Sequence, residues 1–142
     1  MIKHIMIPYD QSDPANRALE VATDLAKKYS ARVSLVSCIV PQVPMDPSMG
    51  ASYAETLVLM QKSASSVLAK LELRLKESQV PLSSIVLTGV SITDELLSYA
   101  ESHQVDLIVM GSRGLGGFKK LLLGSVASGV SQHSKCPVLI IK

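Results

Sequence analysis

Residues 105–125 read VDLIVMGSRGLGGFKKLLLGS and join an apolar run to a glycine-rich, basic segment. The run VDLIVM has the length and apolar character of a buried strand. Five glycines, a Ser-Arg pair and two adjacent lysines follow it before Ser125. Glycine lets the backbone come close to a neighbouring group, and basic side chains attract anions. The stretch predicts a strand that ends in a phosphate-binding loop or, alternatively, in a glycine turn needed only for packing.

The chain outside this stretch alternates between two apolar patterns. Short runs rich in β-branched residues predict strands, and apolar residues spaced three and four apart predict helices. The segment 41–50 holds three prolines and a glycine, which predicts a surface loop. The predicted strands cover 3–10, 32–40, 83–89, 106–110 and 136–142, and the predicted helices cover 12–29, 52–77, 91–104 and 125–134.

The order of these elements predicts a doubly wound α/β fold. Strands and helices alternate from end to end, and the strand runs are almost continuously apolar. Such strands are typical of a parallel sheet that helices cover on both faces. Right-handed crossovers then give a five-stranded parallel sheet with four helices. No internal repeat or linker divides the chain, so we expect a single domain over residues 1–142.

Composition limits the classes of function. The chain of 142 residues carries a net charge of +2, which is too small to predict nucleic-acid binding. No segment is apolar and long enough to span a bilayer, and the start lacks a signal-peptide pattern. We therefore expect a cytoplasmic protein without membrane insertion. Cys38 and Cys136 border apolar runs in no metal-binding pattern, which predicts two reduced core thiols.

The candidate site lies where the strands end. In an open parallel sheet, ligands bind at the carboxyl ends of the strands, where the strand order reverses. The connection after Met110 has about a dozen residues, whereas such connections usually have about two to six. Gly124 opens the last helix, whose first N–H groups and dipole attract phosphate. The polar groups that this phosphate cradle adds are Ser112, Arg113, Lys119, Lys120 and Ser125, and the leucines at 121–123 are expected to pack.

Other familiar chemistry is not found in the sequence. A P-loop needs a Gly-Lys pair, and a dinucleotide fingerprint must follow the first strand, which here ends in PYDQSD. No nucleophile elbow is present either. His4 begins the first strand, away from the site, and His103 and His133 close helices. Each histidine suits a cap or surface role better than a catalytic base. We predict no catalytic residue, no metal site and at most weak ATPase activity.

The spacing Gly111-x2-Gly114-x9-Gly124-Ser125 resembles the G-x2-G-x9-G-[ST] nucleotide-binding motif of universal stress proteins. The resemblance covers the whole chain. The stretch IMIPYDQSDPANRALEVA at 5–22 is similar to the family's first strand and helix, and 121–142 is similar to its last helix and strand. The resemblance implies the strand order 3-2-1-4-5, a Rossmann-like fold of the adenine nucleotide α-hydrolase type, ATP binding, a homodimer and a role in stress tolerance.

The resemblance also implies a set of cofactor-binding residues. Asp10 would lie near the ribose and adenine, although its sequence context DQSD also suits a turn or cap carboxylate. Cys38 would hold the adenine through its backbone. Ala127 replaces a hydroxyl residue of some relatives, which removes one phosphate contact. The remaining implied contacts are Pro8 and Tyr9 along the pocket, Met110, Gly111, Ser112, Arg113 and Gly114 on the ribose-phosphate side, and Gly124, Ser125 and Val126 on the distal phosphates.

Two functions remain open. In the first, ATP (or ADP or AMP, with or without Mg²⁺) orders the loop at 111–125 and presents a surface to an unidentified protein partner. A protease should then cut near Lys119-Lys120 faster without nucleotide. In the second, the chain is a dimeric scaffold or a regulator of a partner such as a transporter, and its pocket binds no nucleotide. The apolar final strand at 137–141 predicts a homodimer through edge pairing in either case.

Overall fold

The computed structural model describes residues 1–116 and 122–142. Lys119, Lys120 and Leu121 lie outside the described residues. Every predicted strand and helix is present, with ends close to the predicted ones. The strands are β1 (His4–Pro8), β2 (Arg32–Ile39), β3 (Leu82–Thr88), β4 (Leu107–Gly111) and β5 (Val138–Ile141), and the helices are α1 (Asp13–Tyr29), α2 (Gly50–Leu75), α3 (Ile92–Ser102) and α4 (Ser125–His133).

The five strands form one parallel sheet in the order β3-β2-β1-β4-β5. This confirms the doubly wound α/β prediction and the implied strand order. The chain runs outward from β1 to β3, then returns to β4 on the other side of β1. The order therefore reverses between β1 and β4, and the carboxyl ends of these two strands lie at the switch point.

Helices cover both faces of the sheet. On one face, α1 and α2 pack against alternate side chains of the central strands, including Ile5, Ile7 and Leu35. On the other face, α3 and α4 pack against the intervening side chains, including Met6, Val36 and Ile108. This burial on both faces explains why the strand sequences are almost continuously apolar. Among the described residues, no helix has the length and apolar character needed to cross a membrane.

The helix starts follow from capping side chains. The Ser12 hydroxyl accepts the N–H of Ala15 at 3.3 Å and begins α1, and Pro14 occupies its first turn. The Ser91 hydroxyl accepts the N–H of Asp94, also at 3.3 Å, and begins α3. Ser12 and Ser91 are the first residues of the predicted helical segments 12–29 and 91–104. His103 caps the carboxyl end of α3, and His133 lies in the last turn of α4, as expected.

The prediction that His4 is a cap or surface residue is wrong. Its side chain is buried at the amino end of β1, because β1 is the central strand of the sheet. Nε2 lies 2.7 Å from the Ser34 hydroxyl, and Nδ1 lies 3.0 Å from the His103 carbonyl oxygen. Arg32 Nη2 lies 3.1 Å from Nδ1. His4 is thus part of a polar network at the sheet edge opposite the candidate site.

Candidate functional site

The turn between β1 and α1 is built around Asp10. Tyr9 donates its backbone N–H to the Val36 carbonyl at 2.8 Å, which extends the β1–β2 contact by one residue. Asp10 Oδ1 then accepts the N–H of Ser12 at 3.0 Å. Between them, Gln11 has a left-handed backbone with φ of 68°. Such a conformation is uncommon outside glycine and often occurs at functional sites.

At the carboxyl edge of the sheet, Tyr9 contributes its backbone rather than its ring. The ring is buried against the α1 side of the core, and its hydroxyl donates to Asn16 Oδ1 at 2.7 Å. Burial raises the pKa of the Tyr9 phenol, and the Asp10 carboxylate acts in the same direction. The expected lining of the pocket by Tyr9 is therefore limited to its main chain.

The start of the long connection is tied to the same turn. Leu115 donates its N–H to Asp10 Oδ2 at 3.3 Å. Ser12 donates its hydroxyl to the Arg113 carbonyl at 3.4 Å while it also caps α1. Both oxygens of Asp10 are thus engaged by backbone N–H groups, one from its own turn and one from the connection. We call residues 111–116 the strap.

The two ends of the connection meet at Ser112. Its N–H donates to the Ile141 carbonyl at 2.7 Å, and its carbonyl accepts the N–H of Gly124 at 2.7 Å. Ser112 is buried, so these two bonds are shielded from water. They hold the start of the strap beside the last residue of β5 and the residue that precedes α4. The connection therefore leaves the sheet and returns to the same point.

Three glycines of the connection are explained by close approach. A Cβ on Gly111 would lie 2.8 Å from Pro14 Cβ and 2.9 Å from the Ala15 backbone nitrogen. A Cβ on Gly114 would lie 2.5 Å from Asp10 Oδ2, and one on Gly124 would lie 3.3 Å from the Ser112 carbonyl oxygen. No described glycine has a positive φ. The packing explanation and the cradle explanation of the glycines are therefore compatible.

Cys38 lies where β2 extends beyond β1. The pairing of β1 with β2 ends at Pro8 and Val36, but β2 continues beside β3 to Ile39. Backbone groups alternate between the two neighbours of a strand. The Val36 carbonyl points towards β1 and the Ile39 carbonyl towards β3, where it accepts the N–H of Gly89. The N–H and C=O of Cys38 consequently point towards the β1 side, past the end of that strand.

The Cys38 thiol has a different environment from the Cys38 backbone. The side chain is half-buried on the α3 side, and burial raises the pKa of the thiol to about 11. The Glu95 carboxylate acts in the same direction. The thiol is therefore protonated at neutral pH and behaves as a small apolar group, in agreement with the prediction of a reduced core cysteine.

The amino end of α4 has backbone donors without a partner among the described residues. Gly124 is the N-cap, and no described side chain caps the helix there. The N–H groups of Ser125, Val126 and Ala127 precede the first intrahelical bond, which Ser128 makes to the Gly124 carbonyl at 2.9 Å. Three donors at the positive end of a helix dipole form an anion-binding arrangement.

The described leucines before α4 differ in their burial. Leu123 packs against the core formed with α3 and α4, as expected. Leu122 is 85% exposed, so the expectation that it packs is wrong for the isolated chain. Leu115 of the strap is 75% exposed as well. The candidate site therefore has an apolar rim.

The structure brings most predicted site residues to one edge. The turn after β1, the end of β2 and the strap lie at the carboxyl ends of adjacent strands, and Ser112 bonds the strap to Gly124. Sequence reasoning missed three residues there, namely Gln11, Ser12 as a strap contact and Leu115. The DQSD turn signal could have indicated the first two. Predicted residues at this edge are Pro8, Tyr9, Asp10, Cys38, Met110, Gly111, Ser112, Arg113, Gly114, Gly124, Ser125 and Val126.

A second concavity lies at the opposite edge, between the carboxyl ends of α3 and α4. It encloses about 230 Å³ above an apolar floor that includes Leu97 and Val105. His133 and Cys136 line it, and an exposed ion pair joins Lys135 to Glu101 at 2.5 Å. No group of three or more metal-ligating side chains comes together among residues 1–116 and 122–142.

The fold and the carboxyl edge define a doubly wound α/β protein with accessible backbone groups at its switch point. The chain matches the universal stress protein family over residues 1–142. Universal stress protein MJ0531 of Methanocaldococcus jannaschii is 33% identical over 146 residues, which cover 100% of this chain and 83% of that protein. The chain therefore belongs to the universal stress protein family.

Solved structures agree with this assignment. The structure of the hypothetical protein MJ0577 superposes with a TM-score of 0.89 at 28% identity, over 100% of this chain and 96% of that one. MJ0577 is itself a universal stress protein of Methanocaldococcus jannaschii. A universal stress protein in complex with cAMP superposes with a TM-score of 0.68 at 25% identity, over 99% of this chain and 96% of that one.

Proposed function

We propose that this chain is a regulatory protein that binds an adenine nucleotide at the carboxyl edge of its sheet. The observation that carries the proposal is the pairing of two open sets of backbone groups at that edge. Cys38 directs an N–H and a C=O past the end of β1, and α4 begins with three N–H donors that no described residue pairs. The first set matches the donor and acceptor edge of a base, and the second matches a phosphate.

The residues present fit such a ligand. The Cys38 backbone would hold the adenine, and the Asp10 carboxylate would accept ribose hydroxyls. The strap would follow the ribose-phosphate side. Ser125 and Val126 would hold phosphate oxygens through their N–H groups, and Gly124 leaves room for them because it has no side chain. Asp10 is the one carboxylate of the described turn and strap. Mg²⁺ would therefore be coordinated mainly by the nucleotide phosphates rather than by protein side chains.

The cAMP complex of a relative supports the ligand class, since cAMP is an adenine nucleotide. ATP, ADP and AMP share the adenine, the ribose and at least one phosphate with it. Backbone N–H groups bind any phosphate, so the order of affinity depends on how many phosphates reach α4. We propose ATP as the principal ligand because its adenine would contact Cys38 while its phosphates reach the start of α4.

Calorimetric titration tests this proposal. ATP, ADP and AMP are titrated into the wild type with and without Mg²⁺, and ATP is titrated into Gly124→Val and Gly50→Ala. A valine at 124 would push against Ser112 and Arg113, whereas a Cβ at 50 meets no atom within 4 Å. We expect Gly124→Val to weaken ATP binding by about tenfold or more and Gly50→Ala to leave it unchanged. Equal ATP affinities in all three proteins would show that the start of α4 does not bind phosphate.

The regulatory part of the proposal rests on the strap. Asp10 Oδ2 holds Leu115 at 3.3 Å in the structure, and a ribose hydroxyl would compete for the same oxygen. Nucleotide binding would then exchange a protein contact for a ligand contact and change how the strap and its apolar rim are presented. A protein partner that binds this surface would therefore respond to nucleotide binding. The proposed role in stress tolerance is this nucleotide-dependent control of a partner.

Hydrolysis is a minor part of the proposed function. The described turn and strap offer a single carboxylate, and the histidines lie at the opposite edge or at the carboxyl ends of helices. Nothing among these residues is placed to orient a water against a phosphate. We expect phosphate release from ATP to be slow, and a steady-state phosphate assay with purified protein measures it directly.

A dimeric scaffold without nucleotide is the second candidate, and β5 favours it. This strand is the edge of the sheet, and Leu139 is 37% exposed there. An apolar edge strand pairs readily with a copy of itself through a twofold axis. Leu139→Lys should lower the dimer fraction in sedimentation experiments. A protein that dimerises but takes up no adenine nucleotide would favour the scaffold.

A further inference from the structure

The first half of α2 carries an apolar face that no described residue covers. The helix has 26 residues, but its buried residues are Leu68 and Leu71, both in the second half. In the first half, Val58 and Leu59 are 46% and 66% exposed. They line a shallow depression together with Ala54 and Glu55. Helix segments of this length are marginal in water without packing, so cover for this face would stabilise the first half.

Six exposed residues of α2 form one stripe, although other faces of its first half are exposed as well. Successive helix residues are about 100° apart, which places residues 51, 55, 58, 59, 62 and 66 within an arc of about 100°. The core side of α2 lies on the opposite face, where Leu68 and Leu71 are buried. We call the stripe of Ala51, Glu55, Val58, Leu59, Lys62 and Ser66 the α2 seam, and every member is exposed.

The charges of the seam are arranged symmetrically. Glu55 and Lys62 are the charged residues of the segment 50–66, and they lie at equal distances on either side of the Val58-Leu59 pair. In an antiparallel helix pair with its twofold axis at this point, Glu55 of each chain faces Lys62 of the other. A parallel pair would instead place like charges together. Small residues, Ala51 and Ser66, face each other at the ends of the seam and allow close approach.

We propose that the α2 seam binds the α2 seam of a second copy of this chain in an antiparallel pair. Each pair of helices buries two Val58-Leu59 contacts at its centre and closes with two Glu55–Lys62 ion pairs. The occupant is a second copy because a single sequence supplies both halves of the charge pattern, which is the requirement for a twofold interface. An unrelated helix would need a matching charge pattern of its own.

This contact is separate from the β5 edge. α2 packs over β2 and β3, and β3 lies at the other end of the sheet from β5. One chain can therefore use both surfaces at once. A chain that does so assembles beyond a dimer, because two different twofold contacts on one subunit extend or close into a ring.

Sedimentation equilibrium over a range of concentrations tests the seam. The single reversals Glu55→Lys and Lys62→Glu each turn two attractions into two repulsions, and we expect the association constant to fall about tenfold or more. The double variant carrying both reversals restores the pairs and should associate like the wild type. An equimolar mixture of the two single variants should also recover association, because each then complements the other. Lys70→Glu, an equal charge change beyond the seam, should have no effect.

Each outcome decides the proposal. Association that falls in the single variants and returns in the double variant and in the mixture supports it. Single variants that sediment like the wild type overturn it, whatever the β5 edge does. Weakened single variants without recovery in the double variant also overturn it, since the residues would then contact something other than each other. All the substituted side chains are exposed, so circular dichroism should show an unchanged fold in every variant.

Discussion

At the scale of single residues, Asp10 connects the sheet to the strap. Its carboxylate accepts the N–H of Ser12 at 3.0 Å and of Leu115 at 3.3 Å. Hydrogen bonds to a carboxylate are stronger than those between neutral groups, so both contacts help to fix the turn. The same oxygens suit ribose hydroxyls. The turn role and the proposed ligand role of Asp10 therefore involve the same atoms in different states of the protein.

Gly111→Ala should destabilise the fold. Its Cβ would lie 2.8 to 2.9 Å from atoms of Pro14 and Ala15, and two of these are backbone atoms that cannot move without shifting α1. We expect a loss of about 1–3 kcal/mol in the free energy of unfolding. Urea denaturation measures it, and Gly116→Ala is the matched control because its Cβ meets open space. Equal stabilities of the two variants would contradict this packing account.

The Cys38 thiol should react slowly with alkylating reagents in the folded protein. Burial raises its pKa to about 11, so only about a thousandth of it is thiolate at pH 8. Labelling with iodoacetamide followed by mass spectrometry of the Cys38 peptide gives the rate, which should rise about tenfold per pH unit. The same chain unfolded in guanidinium is the control. A folded rate that matches the unfolded one would refute the burial effect.

His4 should make stability depend on pH. Burial lowers the pKa of His4, and the nearby Arg32 guanidinium acts in the same direction. The unfolded chain then binds more protons than the folded one below the ordinary value of 6.5. The free energy of unfolding should be greatest above that pH and should fall as the pH drops towards the folded pKa.

Thermal denaturation between pH 5 and pH 7.5 measures this dependence. His4→Gln removes the titrating group, so its stability should vary less over that range even if it is lower throughout. Backbone N–H groups lower the pKa of Asp106, whose titration falls at more acidic pH and does not overlap this window. A wild type and variant with the same slope would show that His4 is not the group responsible.

At the scale of elements, α1 and the strap share one side chain. Ser12 caps α1 and donates to the Arg113 carbonyl, whereas Ser91 caps α3 with the same 3.3 Å bond. Ser12→Ala and Ser91→Ala should each lower stability by about 1 kcal/mol. Only Ser12→Ala should also weaken ATP, because it releases the strap. Calorimetry of both variants makes the comparison, and equal ATP affinities would argue against the coupling.

Most elements could be predicted because their patterns are local. Apolar runs locate the strands, and apolar residues spaced three and four apart locate the helices. The burial of His4 could not be predicted, since it depends on β1 lying at the centre of the sheet. The contacts of Ser12 and Leu115 across the strap join residues about a hundred positions apart. Such pairings follow from topology rather than from neighbouring residues.

The helix α2 shows a second limit. Its apolar periodicity predicts a helix along its whole length, and the structure has one. The pattern does not reveal that the first half exposes an apolar face, because Val58 and Leu59 look like ordinary packing residues. Likewise, the exposed Leu122 cannot be distinguished by sequence from its packed neighbour Leu123. Apolar residues that bind partners and those that fill a core share the same composition.

At the scale of the whole molecule, the sheet order determines where function can reside. The reversal between β1 and β4 collects the Asp10 turn and the strap at one edge, with the end of β2 beside them. The edge strand β5 and the α2 seam lie at the two ends of the sheet. The two proposed contacts between copies are therefore separate from each other, whereas the end of β5 adjoins the proposed ligand site through the bond between Ser112 and Ile141.

The measurement that tests the central claim most directly is an amide NMR titration of the protein with ATP. The claim is that the nucleotide binds at the carboxyl edge, between the end of β2 and the start of α4. The account predicts the largest shifts at the amides of Cys38, Leu115, Ser125 and Val126, with little change at Gln104 and His133 across the molecule. Shifts centred on the cavity between α3 and α4, or none at saturating ATP, would contradict it.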